Sequence, residues 1–544
     1  MAAELRWCGW GEPPAGPLLS PGALELLHSE LGLSGEVSRP VELHEVELEP
    51  ARLAQRARQA LEDAVGAEWV QAGHEARVRH ACGRSYSDLV RMRSGHPDGS
   101  PDAVVLPSTH EEMAAVLAVA SRVRLAVVPF GGGTSVVGGV APLRGEQESV
   151  IALDTRRLAA LMSVDRRSLT ARVQAGIRAP VLEAELAKHD LTLGHFPQSY
   201  EFVSLGGCAA TRSAGQASTG YGRIDELILG LRHAAPAGEL RLGAFPATAA
   251  GPDLRQLVIG SEGTLGVISE LVLRLHPKPH QRRYEGLMFE SFEAGAEALR
   301  AALQESAAPD IGRILDEEET RVTLAMAPAG GLKGRLGRSW IRVRGYSGGC
   351  LAIVGWEGEE NAVARRRGHT LSVMTRDGGL RLGAGVGASW EASRFAGPYL
   401  RDELLDRGVM VETVETATDW TRLLDLRAAV SAALRQALVA TAGAPIVLCH
   451  ISHAYSSGAS LYFTVIAQAR RGRELEQWQA AKRAAGDAIV AGGGTISHHH
   501  AVGRDHAPWL ERELGSTGIG ALRALKGELD PAGIMNPGKL LPAG

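Results

Sequence analysis

Three histidines stand in a row, His498, His499 and His500, inside "GGGTISHHHAVG" and well within the chain. Imidazole exchanges a proton nearest neutral pH and is a common metal ligand. On an extended segment successive side chains leave on opposite faces, so the three cannot share one direction: one or two reach a site and another packs. A satisfied or surface cluster is the alternative. A second group with chemical potential is a set of glycine-rich runs. In Pro129-Phe130-Gly131-Gly132-Gly133-Thr134-Ser135, glycines let backbone N–H groups approach phosphate oxygens and adopt positive φ. A pyrophosphate suits such a loop; a plain tight turn is the alternative. Gly206-Gly207 in "SLGGCAATRSAGQASTGYG" and Gly260 to Gly266 in "GPDLRQLVIGSEGTLGV" read as two further strand-flanked glycine turns. None matches G-x-G-x-x-G opening a helix, which disfavours a Rossmann site, and no G-x-x-x-x-G-K-[ST] loop supports an NTPase.

These residues need elements to hold them. "DAVVLP" reads as a short buried strand, "STHEEMAAVLAVASRV" as an amphipathic helix capped by Ser108 or Thr109, and "RLAVVPF" as a second strand running into the first glycine loop. "SVIALD", "LTARVQAG" and "LVIGSEGTLGVISELVLRL" carry further strand signals, with a helix in "APVLEAELAKHD". After Pro277 helix-like "SFEAGAEALRAALQE" appears beside strand-like "APIVLCHIS" and "ASLYFTVIAQA", which reads as a second α/β domain. Residues 325–349 are rich in Gly, Ala and basic residues and read as a mobile loop. The prolines of "LDPAGIMNPGKLL" suggest a segment laid back across an earlier surface. Ser20 to Leu61 shows helix-compatible patches and no chemistry.

At 544 residues with 45% apolar content the chain can fill more than one core. A net charge of -4 with 22% charged residues gives no general attraction to nucleic acid, and none is expected as a partner. The five cysteines include no C-x-x-C pair, the pattern of reduced thiols. With no secretory signal order and no stretch apolar enough to span a bilayer, a cytoplasmic protein is expected, with any membrane contact peripheral. Arg365-Arg366-Arg367 reads as a solvated run ahead of a contact with anionic lipid.

Together "PFGGGTSVVGG", "LGGCAATRSAGQASTGYG" and "GSEGTLGVISEL" resemble the FAD-binding domain of the vanillyl-alcohol-oxidase superfamily. The resemblance implies an α+β protein with a two-part FAD-binding domain at 100–277 and an α/β cap at 278–490. A helical or connector region precedes them at 1–99, and a segment at 491–544 returns to the flavin site. It also implies Pro129, Gly131, Gly132, Gly133, Thr134 and Ser135 on the FAD pyrophosphate. Gly206, Gly207, Thr211, Ser213, Gly215, Glu262, Thr264 and Ile268 follow as further flavin contacts. Members that tether FAD often use a His or Cys near the first loop; Thr134 and Ser135 stand there, so FAD is expected to be non-covalent.

"WCGWG", "FPQSYEFVSLGGCAATRSAG", "YLRDELLDRGVMVETVETATDW", the histidine run and "LDPAGIMNPGKLL" extend the resemblance, over nearly the whole chain, to the alkylglycerone-phosphate synthase family. That family implies exchange of the acyl group of an acyl-dihydroxyacetone phosphate for a long-chain alcohol, with no net redox change. It casts Tyr462 as acid/base, Arg401 and the weaker Arg313 as phosphate contacts, and His498, His499 and His500 as the polar shell around the reacting carbon. From the residues alone, Arg401 beside Asp402 and Glu403 also reads as a helical ion pair, and Tyr462 as a core strand tyrosine. In 2-hydroxyacid dehydrogenases of the superfamily a metal sits between a "GHLGDGNLH"-like and an "EHGxG"-like stretch. Here "CHISHAYSSGASLY" and "HHAVG" put Tyr462 where the second His would be and His499 where the Glu would be, so no metal is expected. A flavin-dependent 2-hydroxyacid oxidase or dehydrogenase is the first alternative function, and a catalytically silent flavin- or lipid-binding protein the second. A homodimer acting on a small lipid or 2-hydroxyacid is the expected working form.

Overall fold

The computed structural model describes residues 4–12, 18–33, 37–326, 346, 348–376 and 378–541. The stretch read as a mobile loop, 325–349, lies outside them apart from residues 325, 326, 346, 348 and 349.

A four-stranded sheet begins the N-terminal half, ordered Val70–Gln71, Ala103–Val105, Ser149–Asp154, Leu125–Phe130, with the last three parallel. Its His110–Val123 helix starts where Thr109 Oγ1 accepts from Glu112 N at 3.0 Å, while the Ser108 hydroxyl donates to the Glu112 carboxylate. Both candidate caps therefore work together. Met113, Val116, Leu117 and Ala120 fall at helical spacing and are fully buried, the larger ones worth about 1.5–3 kcal/mol each. A five-stranded antiparallel sheet follows, ordered Leu161–Asp165, Thr170–Gln174, Val267–Arg274, Ile228–Ala235, Gly238–Leu242.

The remaining large sheet has seven strands, ordered Leu380–Gly383, Gln281–Phe289, Cys350–Gly358, Ile311–Leu315, Ile446–Ala454, Gly458–Gln468, Val409–Asp419. Every pairing in it is antiparallel, so the half read as α/β is an antiparallel sheet backed by helices. Phe292–Gln304, Glu360–Arg376, Leu423–Ala442 and Glu474–Ala491 cover one face. Period-two alternation divides the Gly458–Gln468 strand: Leu461, Phe463 and Val465 pack into the helix-side core, while Tyr462, Thr464 and Ile466 line a cavity on the other face.

Four readings need correction. Gly206 and Gly207 lie in the first turn of a helix, Leu205–Thr211, whose cap Ser204 accepts from Gly207 N at 3.2 Å; they are not a turn after a strand. Leu257 and Val258 of the "LVI" before Gly260 lie in a short helix, Arg255–Val258, that Ile259 terminates, so this stretch is not part of a strand. The N-terminal region is more than a connector: it supplies the Val70–Gln71 strand, and Trp10, Arg84, Ser85 and Tyr86 to the cavity. Arg366 and Arg367 are paired with Asp310 and Glu285, both buried, instead of forming a wholly solvated run.

Residues beyond 491 return as the prolines suggested. Val127 N donates to Ile534 O at 2.9 Å and Asn536 N to Val127 O at 2.9 Å, so this segment extends the Leu125–Phe130 strand's edge of the first sheet. All five cysteines are buried free thiols. Among the described residues no helix is long and apolar enough to cross a membrane.

Candidate active site

The cavity has a volume of about 550 Å³ and lies where the glycine loop, the five-stranded sheet and the open face of the large sheet converge. At one end of it the Leu125–Phe130 strand runs into Gly131 to Ser135. Among the described residues, the backbone N–H groups of Gly132 to Val136 find no acceptor within the chain. A Cβ at Gly131 would collide with Ser204 Oγ, and one at Gly132 with the carbonyl of Phe202. Side-chain-free backbone with unused donors is what a pyrophosphate requires, so the loop fits an FAD.

The other predicted flavin contacts divide. Pro129, Thr134, Ser135, Gly206, Gly207, Thr211, Ser213, Glu262 and Ile268 line the cavity with Gly131 to Gly133. Gly215 and Thr264 do not. Gly215 N donates to Ser218 Oγ at 2.7 Å with the Phe196 backbone against its Cα, and buried Thr264 donates to Ser261 O at 2.7 Å, so both shape turns behind the wall. Glu262 touches the cavity but spends its carboxylate on Val502 N (2.8 Å) and Gly503 N (2.7 Å), bracing the returning segment. Burial pushes its pKa up to about 7 despite those donors.

At the other end, Tyr462 sits on the Gly458–Gln468 strand opposite His450 on one neighbour and Glu415 on the other. Its ring stacks on His450 (centroids 5.0 Å) and on His499 (5.9 Å) and meets His500 edge-on (5.4 Å). Burial raises its hydroxyl to about 12, so it stays protonated and able to donate at neutral pH.

The three histidines form a turn and not a strand. One carboxylate organises it. Glu415, fully buried on the Val409–Asp419 strand, accepts from Ser497 Oγ (2.7 Å), His498 N (2.7 Å), His499 N (3.1 Å) and His500 N (2.9 Å). The neighbouring imidazoles and these donors overcome its desolvation and hold its pKa well below the usual carboxylate range. His499 and His500 reach the cavity wall. His498 packs away from it, with Nε2 2.7 Å from the Tyr455 hydroxyl, and burial drives its pKa down to about 3. The division expected for a strand thus arises from a turn.

Arg401 lies on the Gly397–Asp406 helix and lines the cavity. Nη1 donates to Arg84 O at 2.6 Å, the neighbouring Asp402 carboxylate stands off at 3.6 Å, and Nε and Nη2 are buried without an acceptor. The ion pair with Asp402 is therefore present but leaves Nε and Nη2 without a hydrogen bond, which an anion would complete. Arg313 is committed: Nη2 is 3.0 Å from Glu319 Oε1 and 3.1 Å from His450 Nδ1, and His450 Nδ1 is 2.8 Å from Glu319 Oε2.

Sequence reasoning missed Arg84, Glu319, Glu415, His450 and His453. Arg84 is held by the carbonyls of Arg6, Gly9 and Gly83, which gives the tryptophan- and glycine-rich "WCGWG" segment a purpose beside Arg401. The period-two alternation of "IVLCHISHA" could have found His450, but nothing local marks Glu415.

Residues 101–243 match the family model described as "FAD binding domain", and 278–540 match "FAD linked oxidases, C-terminal domain". A Dictyostelium discoideum protein named alkyldihydroxyacetonephosphate synthase is 32% identical, across 99% of this chain and 94% of its own length. A solved structure of an alkyldihydroxyacetonephosphate synthase superposes with a TM-score of 0.85 at 29% identity, covering 99% of both chains. A p-cresol methylhydroxylase structure with substrate bound shares the fold, at a TM-score of 0.67 and 14% identity over 91% of this chain and 98% of the other.

Proposed function

The chain belongs to the alkyldihydroxyacetonephosphate synthase family, and from that premise we propose that it is an FAD-dependent enzyme making the ether bond of alkyl-dihydroxyacetone phosphate. The ester oxygen of an acyl-dihydroxyacetone phosphate leaves with its acyl group as a fatty acid. The oxygen of a long-chain alcohol takes its place on the same carbon, and no electrons are gained or lost overall. The observation that carries this reading is Arg401: a buried guanidinium with two unused donors, facing the cavity that Tyr462, His499 and His500 share.

Gly131 to Ser135 would hold the pyrophosphate of a non-covalently bound FAD, whose ring would supply a reversible electron-pair donor beside the reacting carbon. Arg401 takes the phosphate through its paired N–H donors, which fixes the carbon near the aromatic cluster. Tyr462, protonated at neutral pH, and His500, kept neutral by burial, move the proton at that carbon and between the leaving carboxylate and the entering alcohol. Val322, Met326, Leu400, Leu404 and Ile466 give the cavity an apolar side for long chains. Glu262, Thr264 and Gly215 shape the flavin pocket, and His498 positions the turn.

The test is to incubate the purified protein with palmitoyl-dihydroxyacetone phosphate and labelled hexadecanol without an electron acceptor. Labelled ether product is expected, and Tyr462→Phe should lower its rate by about 10²–10⁴-fold with the flavin spectrum unchanged. Flavin bleaching by a D-2-hydroxyacid, with no ether product, would overturn the proposal.

A further inference from the structure

In the cavity wall, the histidine turn meets a fourth imidazole, His453, which lines the cavity beside His499. His453, near the end of the Ile446–Ala454 strand, stacks on His498 with centroids 5.0 Å apart and stands edge-on to His499 at 5.2 Å. One ring nitrogen from each of the three lies within 4.8 Å of the other two. His498 Nδ1 and His499 Nδ1 are 3.0 Å apart, and His453 Nδ1 is buried with no hydrogen-bond partner.

We propose that His453, His498 and His499 form a binding site for one divalent transition-metal ion of the zinc class. Metal–imidazole bonds of about 2.0–2.1 Å place two nitrogens on one ion about 3–3.4 Å apart, the spacing His498 and His499 already approach. A rotation of the His453 ring brings in the third and satisfies a nitrogen otherwise left bare. The surroundings resemble those of a built site. The Tyr455 hydroxyl fixes the far nitrogen of His498 at 2.7 Å, and Glu415 Oε2 lies 3.5 Å from His499 Nδ1, an anionic partner beside the cation. Three imidazoles select zinc, cobalt or nickel over magnesium and calcium, which favour oxygen ligands. The expectation that no metal binds rested on Tyr462 and His499 standing in place of a His and a Glu. His453 was not one of the two positions weighed there, and the site shares His499 with the cavity wall.

The test uses untagged, FAD-loaded protein, stripped with a chelator, incubated with Zn²⁺ and passed through gel filtration. One equivalent of zinc should be retained where Mg²⁺ is not, and X-ray absorption of the zinc-loaded wild type should count three imidazole ligands. His453→Gln should weaken zinc binding at least tenfold while its flavin spectrum reports an intact fold. No retained zinc, or affinity unchanged in His453→Gln, would overturn the proposal. Should that variant fail to hold FAD, the wild-type ligand count decides: two imidazoles or fewer reject the site.

Discussion

Two buried nitrogens without hydrogen-bond acceptors make Arg401 the most exacting residue in the cavity, because the Arg84 carbonyl and the Asp402 carboxylate offset only part of its desolvation cost until a ligand arrives. Burial accordingly lowers its pKa. Arg401→Ala should raise KM for a phosphorylated substrate about 10–100-fold, the worth of one or two charge-assisted hydrogen bonds, and leave kcat less affected. Steady-state kinetics beside a phosphate-free analogue would check this; equal losses for both substrates would remove the phosphate from the assignment. Arg401→Lys should recover only part, since a point charge cannot reproduce two divergent donors. Tyr462, Arg401 and the histidines were legible because each sits in a distinctive local string. Arg84, Glu415 and His453 were not, since a lone Arg, Glu or His gains its meaning only when a distant segment is folded against it.

At the scale of elements, the Val409–Asp419 strand holds the histidine turn through Glu415. Replacing it with Ala would strand the N–H groups of His498, His499 and His500 in a dry interior, at a cost of about 3–5 kcal/mol. Glu415→Ala should therefore lower the melting temperature and abolish turnover. Glu415→Gln, which keeps one acceptor oxygen, should fall between; a melting temperature unchanged in both would deny the carboxylate its organising role. Elements with clean periodicity were readable in advance, as in His110–Val123 and Gly458–Gln468. Leu205–Thr211 was not, because glycines at its start carry a turn signal while the Ser204 cap and the packing of Gly206 against Ala175 make a helix of it. Strand direction in the large sheet was equally hidden, since hydrophobic alternation says which face is buried and nothing about the neighbour's polarity.

At the scale of the whole molecule, buried imidazoles set the response to acid. Burial holds His195, His498 and His506 down to about 3 and His233 to about 4, against about 6.5 in an unfolded chain. Their folded values lie below the unfolded ones, so their contribution is complete above pH 6.5 and is lost as pH falls towards 4. Glu262 and Asp505, raised to about 7, and Asp316, raised to about 6, work the other way, favouring the folded state in acid and opposing it as pH rises through those values. His450, His453, His499 and His500 are shifted down with the first group, so the balance falls on the imidazoles. Stability should decline from pH 7 to 5 by about 1.4 kcal/mol per pH unit for each unbalanced proton. Thermal melts of the FAD-bound protein would show it, and a melting temperature that rose towards pH 5 would contradict it.

The pairing of Ile534 and Asn536 with Val127 bears on how the protein is made. Leu125–Phe130 is an outer strand, apolar on both faces, and the residues that cover its edge leave the ribosome long after it does. Throughout translation of the large sheet this edge is open to pairing with other chains, so the nascent protein is most prone to aggregate just before synthesis reaches residue 534.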